Sequence, residues 1–391
     1  MKWASTYSND LQLETAIGDC AWVIGEAFGG KAPDLVLIFL TPHYAEGFDS
    51  VPELVARHLK AAHLVGCTGE GVIGGGRELE FQATVAMTAA VLPDVSLSTF
   101  HLTHTEPEDL APATLAKKVP FPAENGPSFL LFSDPFTFPT EPFLSKMDLA
   151  FPFSQKVGGL ASGANRPGFT ALFQDGVMHR KGMVGVAFDG NLTIDSVVAQ
   201  GCRPIGTPLF VTACRRTQIQ ALNDGLPREV LQALYDSLSP DDQALFQNEL
   251  FLGIEMKPDE TVVDSGDFLI RNILGMTEQG YLQVGAHLNE NTAIQFHLRD
   301  KRASHEDLEH QLVRYGEISK STGPQGALLF SCLGRGSRFY GESDHDIRLF
   351  QETIGSIPVG GFFCSGEIGP VQGITYLHGY TSSFALFRAR T

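Results

Sequence analysis

The feature that most constrains this chain is that it repeats itself. An apolar run that reads as a buried strand, a helical stretch, and a strand entering small residues recur three times in that order. In the first copy these are residues 35–40, 50–62 and 63–74; in the second, 129–133, 142–149 and 156–165; in the third, 327–332, 344–354 and 358–370. The spacing from the start of the first strand to a glycine of the second is similar each time: Leu35 to Gly66 is 31 residues, Phe129 to Gly158 is 29, and Ala327 to Gly360 is 33. Alternating runs at 78–92 and 95–102, then 169–174, 177–188 and 192–200, then 374–378 and 383–388, read as further strands. Helices at 10–29 and 304–320 precede the first and third copies. The unit is therefore α-β-α-β-β-β, with the leading helix weak or missing in the middle copy.

Residues 201–302 break the pattern without reading as a linker. A helix at 227–238 opens on Pro227 and Glu229, and strand candidates lie at 208–213, 217–222, 250–255, 267–274, 281–288 and 292–299. Gly and Pro cluster in Gly201-Cys202-Arg203-Pro204-Ile205-Gly206, which sets the expected domains at 1–201 and 202–391. Strands with few charges and amphipathic helices suit sheets covered by helices on one side and by a second sheet on the other. The expected fold class is α/β (mixed α+β): two associated domains of mixed or antiparallel sheets with outer helices, arranged as α-β-β-α layers.

Composition narrows the function. Lys plus Arg number 28 against 45 Asp plus Glu, a formal charge of −17, so the molecule repels phosphates at long range and nucleic acid is not an expected partner. Hydrophobic residues are 43% and charged residues 19%, which excludes general disorder. No apolar run suits a membrane span or a signal h-region, so the chain reads as cytoplasmic. The cysteines, Cys20, Cys67, Cys202, Cys214, Cys332 and Cys364, form no C-x-x-C pair and read as reduced, buried thiols. The closest histidine pairs, His101/His104 and His305/His310, make no ligand motif; neither a metal nor a cofactor is expected.

Three elements stand out as ligand candidates. The turn of residues 66–76 carries Gly66, Gly69, Gly71, Gly74, Gly75 and Gly76 beside Cys67, Thr68 and Glu70. Such a turn either approaches a ligand and offers N–H donors, or forms bulges between packed sheets. Ser162 and Asn165 hold the matching place in the second copy. Arg335, flanked by Gly334 and Gly336 beyond an apolar strand, either grips a carboxylate or phosphate or pairs with an internal acid that fixes the loop. Glu367, in Ser365-Gly366-Glu367, receives a ligand ammonium or pairs with Arg335 or Arg271. Glu70 reads as the first copy's equivalent of Glu367.

These elements together resemble the FIST family in both its parts. The N-terminal resemblance, from about Asp34 to Gln200, rests on Val65-Gly66-Cys67-Thr68-Gly69-Glu70-Gly71-Val72-Ile73-Gly74 and Val157-Gly158-Gly159-Leu160-Ala161-Ser162. The C-terminal one, from about Pro204 onward, rests on Asp267-Phe268-Leu269-Ile270-Arg271, Phe330-Ser331-Cys332-Leu333-Gly334-Arg335-Gly336, and Gly360-Gly361-Phe362-Phe363-Cys364-Ser365-Gly366-Glu367-Ile368-Gly369-Pro370. The resemblance implies a sensory module for small ligands, with amino acids the proposed class. FIST parts are often joined to signalling output domains in bacteria, and help bind protein substrates in a eukaryotic F-box relative. No output domain or F-box is read here, so a signal would pass to a separate protein partner.

The expected function is accordingly a sensor of a small polar ligand, without catalysis. Arg335 would hold a carboxylate and Glu367 an ammonium, with Gly366, Ser365, Cys67, Thr68, Glu70, Ser162, Asn165 and Arg271 as further binding candidates. A second reading is an interaction scaffold that docks a protein on Phe136 and Phe138. A third is an enzyme using Cys67, Cys332 or Cys364, with His345 or His378 as base.

Overall fold

A computed structural model describes residues 1–103, 111–256, 268–318 and 323–390. His104, Asp267 and the last two residues of the expected helix at 304–320 lie outside the described residues. The chain forms two compact units: the first comprises Met1–Ala199, Leu308–Leu377 and Thr381–Thr391, the second Gln200–Asp307 and His378–Tyr380.

The first unit contains the repeat. Copy one is β1 (Lys2–Ser8), α1 (Leu13–Ala27), β2 (Leu35–Leu40), α2 (Val51–His58), β3 (His63–Thr68), the hairpin β4 (Val72–Gly74) and β5 (Arg77–Leu79), and β6 (Val85–Val91). Copy two is β7 (Val95–Leu102), α3 (Pro112–Lys118), β8 (Ser128–Ser133), α4 (Thr140–Ala150), β9 (Lys156–Leu160), the hairpin β10 (Leu172–Gln174) and β11 (Val177–His179), and β12 (Met183–Gly190). Copy three begins with β13 (Thr193–Gln200). The second unit then interrupts it with β14 (Cys202–Arg215), β15 (Gln218–Leu222), α5 (Pro227–Ser237), α6 (Pro240–Phe246), β16 (Leu250–Glu255), β17 (Phe268–Met276), β18 (Leu282–Val284) and β19 (Ala293–Arg299). Copy three resumes with α7 (Lys301–Ile318), β20 (Gly326–Cys332), the short α8 (Ser337–Tyr340), α9 (His345–Thr353), β21 (Val359–Cys364), the hairpin β22 (Glu367–Val371) and β23 (Ile374–His378), and β24 (Thr381–Arg388).

Two expectations about the unit change. The leading helix of the middle copy is present, as α3. The edge strands β7 and β13 open the next copy rather than closing the previous one, because β7 pairs with β12 and β13 lies beside β24.

Each copy builds a mixed sheet around a parallel pair: β2 with β3, β8 with β9, β20 with β21. Parallel neighbours require a crossover, which α2, α4 and α9 lie in position to provide. The last strand of each copy returns antiparallel beside the first: β6 on β2, β12 on β8, β24 on β20. The hairpins do not stay at home. The β10–β11 hairpin of copy two extends β3 of copy one; β22–β23 of copy three extends β9 of copy two; β4–β5 of copy one extends β21 of copy three. The result is three six-stranded sheets joined by a cyclic exchange of hairpins.

Pairing register identifies equivalent residues. Gly66 faces Ile38, Gly158 faces Leu131, and Gly361 faces Leu329. A Cβ on any of these glycines would sit 1.9 Å from the facing carbonyl oxygen, so the position excludes every other residue. The third member is thus Gly361, one residue beyond the Gly360 expected from spacing. The next residue on each first strand, Phe39, Phe132 and Phe330, is fully buried, and Phe362 joins them. Phe39 stacks on Phe362 with centroids 4.9 Å apart, and Phe132 meets Phe39 at 5.4 Å and Phe330 at 6.0 Å. Each such ring contributes ~2–3 kcal/mol through burial. The three sheets therefore share one core on their inner faces. Helices α1 and α2 cover the outside of the first sheet, α3 and α4 the second, and α7 and α9 the third. The α/β class holds, and three sheets meet where an α-β-β-α stack has two.

The second unit is a closed barrel in the order β14-β15-β18-β17-β16-β19, with an apolar interior of which Val211, Ile219, Leu252, Val284, Ile294 and Leu298 are wholly buried. The six strand candidates of residues 201–302 are these six strands. The sequence division near residue 201 and the division into compact units are different partitions, because residues 308–377 and 381–391 belong with the first unit.

Candidate functional site

In the first unit the turns that follow β3 and β9 border an open cleft, and the turn that follows β20 borders a small cavity sharing two of its residues. Its open part, about 1090 Å³, is lined by Pro42, His43, Glu70 and Phe81 from copy one and by Gly163, Asn165, Arg166 and Phe169 from copy two. A smaller cavity of about 60 Å³ shares Glu70 and Phe81 and adds Glu80 with Leu333, Arg335, Arg338 and Phe363 of copy three.

Ser162 ties the three copies together at the floor. Its hydroxyl accepts from the Glu70 amide at 2.8 Å and donates to the Phe363 carbonyl at 2.5 Å, while its own amide donates to the Thr68 carbonyl at 3.0 Å. The Phe363 amide in turn donates to the Gly71 carbonyl at 2.9 Å. Thr68 and Ser162 are each 1% exposed, so they support the floor rather than face solvent. Thr68 Oγ1 accepts from the Ala171 amide. Glu70 and Asn165 are exposed on the cleft.

Arg335 takes the second of its two expected roles. It is buried, and its guanidinium makes a bidentate pair with Asp346, 2.9 and 3.0 Å. Asp346 Oδ1 also meets His345 Nδ1 at 2.9 Å, and the His345 ring stacks on Tyr340 at 3.4 Å. Burial disfavours the Asp346 charge, yet Arg335 and His345 together hold its carboxyl well below the usual range. Glu78 closes the network by accepting from the Ile347 amide at 2.9 Å. Burial first, then the neighbouring Asp346 charge, raises the Glu78 carboxyl. Glu78 lies on a copy-one hairpin and α9 belongs to copy three, so the network anchors the hairpin exchange.

Glu367 is 0% exposed and does not open on the cleft. Its Oε2 accepts from the Thr381 hydroxyl at 2.8 Å and amide at 3.2 Å. Burial pushes its carboxyl up to about 8 against the lowering effects of Thr381, Arg335 and Cys332, so it is mostly protonated at neutral pH. Register explains its position. Glu367 faces Gly159, as Val72 faces Phe362 and Leu172 faces Cys67, so it occupies the core position that the other hairpins fill with Val72 and Leu172. The register equivalent of Glu70 is Ser365, which is exposed, not Glu367. The pairing of Arg335 with a ligand carboxylate and Glu367 with its ammonium is therefore replaced by two buried, internally bonded groups. Gly366 is buried beside Glu367, and Arg271 lies in the second unit on β17, where its Nη1 donates to the Ile270 carbonyl.

The cleft residues that sequence reasoning missed are Arg166, Arg338, Phe81 and Phe169. The Arg166 guanidinium lies 4.0 Å over the Phe169 ring, and that of Arg338 lies 4.1 Å over the Phe81 ring. Phe81 is 52% exposed and has φ +58°, a conformation costly for a bulky residue. The only signal in the sequence was an Arg and a Phe at short spacing in Arg166-Pro167-Gly168-Phe169.

Phe138 is buried against Phe143 and the loop is pinned by Asp134, which accepts from the Phe136 and Thr137 amides, so only Phe136 remains accessible for docking. Cys67 and Cys364 are wholly buried, and burial pushes both thiols well above their ordinary value, against a nucleophilic thiolate. His101 stacks on His179 at 3.7 Å. Among the described residues no group of three or more His, Cys, Asp or Glu is placed to hold a metal, and no helix is long and apolar enough to cross a membrane.

Sequence comparison places this geometry among known proteins. The profile of the FIST N domain matches residues 34–225, and that of the FIST C domain matches residues 228–370. An uncharacterized protein of Mycobacterium tuberculosis (strain ATCC 25618 / H37Rv) is 35% identical over 377 residues, 96% of each chain. An uncharacterized protein of Mycobacterium bovis is 33% identical over 363 residues, 93% of this chain and 92% of that one. An F-box/LRR-repeat protein of Arabidopsis thaliana is 24% identical over 278 residues, 62% of this chain and 52% of its own length.

Proposed function

Because the chain belongs to the FIST family, whose domains are associated with sensory and signal-transduction roles, we propose that it senses a small polar metabolite of the amino-acid kind in the cleft above Glu70. One observation carries this reading: turns from copies one and two border an open cleft of about 1090 Å³, copy three joins them at a small cavity that shares Glu70 and Phe81, and accessible charges stand above a hydrogen-bonded floor. Glu70 and Asn165 contact the ligand. Thr68 and Ser162 hold the turns, and Arg335 keeps the copy-three rim in place through Asp346. Ligand occupancy is read by a separate protein partner in the cytoplasm, a compartment that suits the buried free thiols.

The test is a thermal-shift screen of the full chain against the amino acids and common metabolites, followed by calorimetry on each hit. A saturable shift that Glu70→Gln weakens supports the reading. Hits that bind Glu70→Gln and Asn165→Ala as tightly as the natural protein overturn it.

A further inference from the structure

We infer that the cleft selects a ligand with two anionic oxygen-acid groups and one ammonium, most simply an acidic amino acid. This rests on the reading of the cleft as the ligand site. The inference comes from its charge inventory. Arg166 and Arg338 are exposed, and neither forms an ion pair with a described residue. Each is instead laid on an aromatic face of the cleft, Arg166 on Phe169 and Arg338 on Phe81. Both rings border the open part of the cleft. An arginine held on a ring loses less rotamer freedom when an anion arrives, and its fork matches a carboxylate.

Glu70 is the complementary exposed acid, and it too has no ion-pair partner among the described residues. Its backbone is fixed by the Ser162 hydroxyl. The remaining charges are engaged within the protein. Arg335 is paired with Asp346, and Glu80 Oε1 accepts from the Ser337 amide. Two cationic anchors and one anionic anchor therefore remain for the ligand. The local supply of arginine also matters because the protein carries a formal charge of −17, which otherwise disfavours an anion. The strained φ of Phe81 fits the same picture, since it holds the ring that carries Arg338 out into the cleft.

The experiment is calorimetry of the full chain with L-glutamate, L-aspartate, L-glutamine and glutarate, repeated on Arg166→Met, Arg338→Met and Glu70→Gln. These side chains are exposed, and retained thermal unfolding checks that each variant is folded. One of the two acidic amino acids should bind at least about tenfold more tightly than glutamine, which lacks the second charge, and than glutarate, which lacks the ammonium. Arg166→Met and Arg338→Met should remove the preference over glutamine, and Glu70→Gln should remove the preference over glutarate. Glutamine bound as tightly as the acidic amino acids, with Glu70→Gln still weakening both, overturns the ligand class and leaves the cleft as a zwitterion site. Absence of binding by all four probes, or binding that none of the three variants changes, overturns this assignment; the wider metabolite screen then decides separately whether the cleft is a ligand site.

Discussion

Glu70 and Glu367 sit in similar Gly-Glu turns beyond a parallel strand, yet one lies on an open cleft and the other inside the core. The difference is a matter of register. Glu367 begins β22 at the position where the other hairpins place Val72 and Leu172, whereas Glu70 precedes its hairpin and matches Ser365. Glu70 stands two residues before β4, in the turn outside the paired strand, whereas Glu367 is itself a paired strand residue whose side chain takes a core position, so an offset of two residues carries a carboxyl from the exposed turn into the interior. Once inside, its carboxyl is pushed toward the neutral form, and only Oε2 keeps hydrogen bonds, both from Thr381.

The buried side of this comparison should respond most to substitution. Asp346→Asn leaves the Arg335 guanidinium buried without its counter-charge and should cost about 3–5 kcal/mol, measured by urea unfolding. A loss below about 1 kcal/mol would mean that the pair is open to water. Ser162→Ala removes one donor and one acceptor from the joint between the copies and should cost ~1–3 kcal/mol by the same measurement.

Glu367 should show itself through pH. Below its ordinary value of 4.5 the carboxyl is neutral in both folded and unfolded chains. Between that value and about 8 the unfolded chain releases the proton while the folded one keeps it, so this group makes stability fall as pH rises through that window. Glu367→Gln keeps an acceptor for Thr381 and should flatten the fall. An unchanged melting profile from pH 5 to 8 in the variant would show that Glu367 is ionised in the fold.

Glu70→Gln marks the other extreme. It should change stability by no more than about 0.5 kcal/mol, because its side chain is exposed and the Ser162 bond goes to its backbone. The thiols extend the contrast: Cys67 and Cys364 should alkylate in the native chain far more slowly than in the urea-unfolded chain, and equal rates would contradict their burial.

Much of the architecture was legible in the sequence. Apolar strands, the helices between them and the glycines Gly66 and Gly158 are local signals, so the threefold repeat is visible in the sequence alone. The clefts and pairings are not local. Placing β7 and β13 at the start of their copies requires knowing which strand each pairs with. Finding α3 requires seeing the apolar Leu115 and Val119 packed in the second outer layer. Of the ten candidate residues, Glu70 and Asn165 could be placed on exposed turns from the sequence, whereas Arg166 and Arg338 were hidden because what marks them is a ring beneath each guanidinium and the lack of an ion-pair partner among the described residues.

By itself the sequence determined a mixed α/β chain of three repeated units, interrupted once, with membership of the FIST family and with glycine-rich turns at matching places. Tertiary structure alone decided that the units exchange hairpins in a cycle, that the interruption closes into a barrel, and which acids and arginines face solvent. The physical reason is the range of the forces involved. Hydrophobic periodicity and steric exclusion act between near neighbours in the chain, whereas hairpin pairing, ion pairing and desolvation depend on residues as far apart as Glu78 and Ile347, which only folding brings within hydrogen-bonding distance.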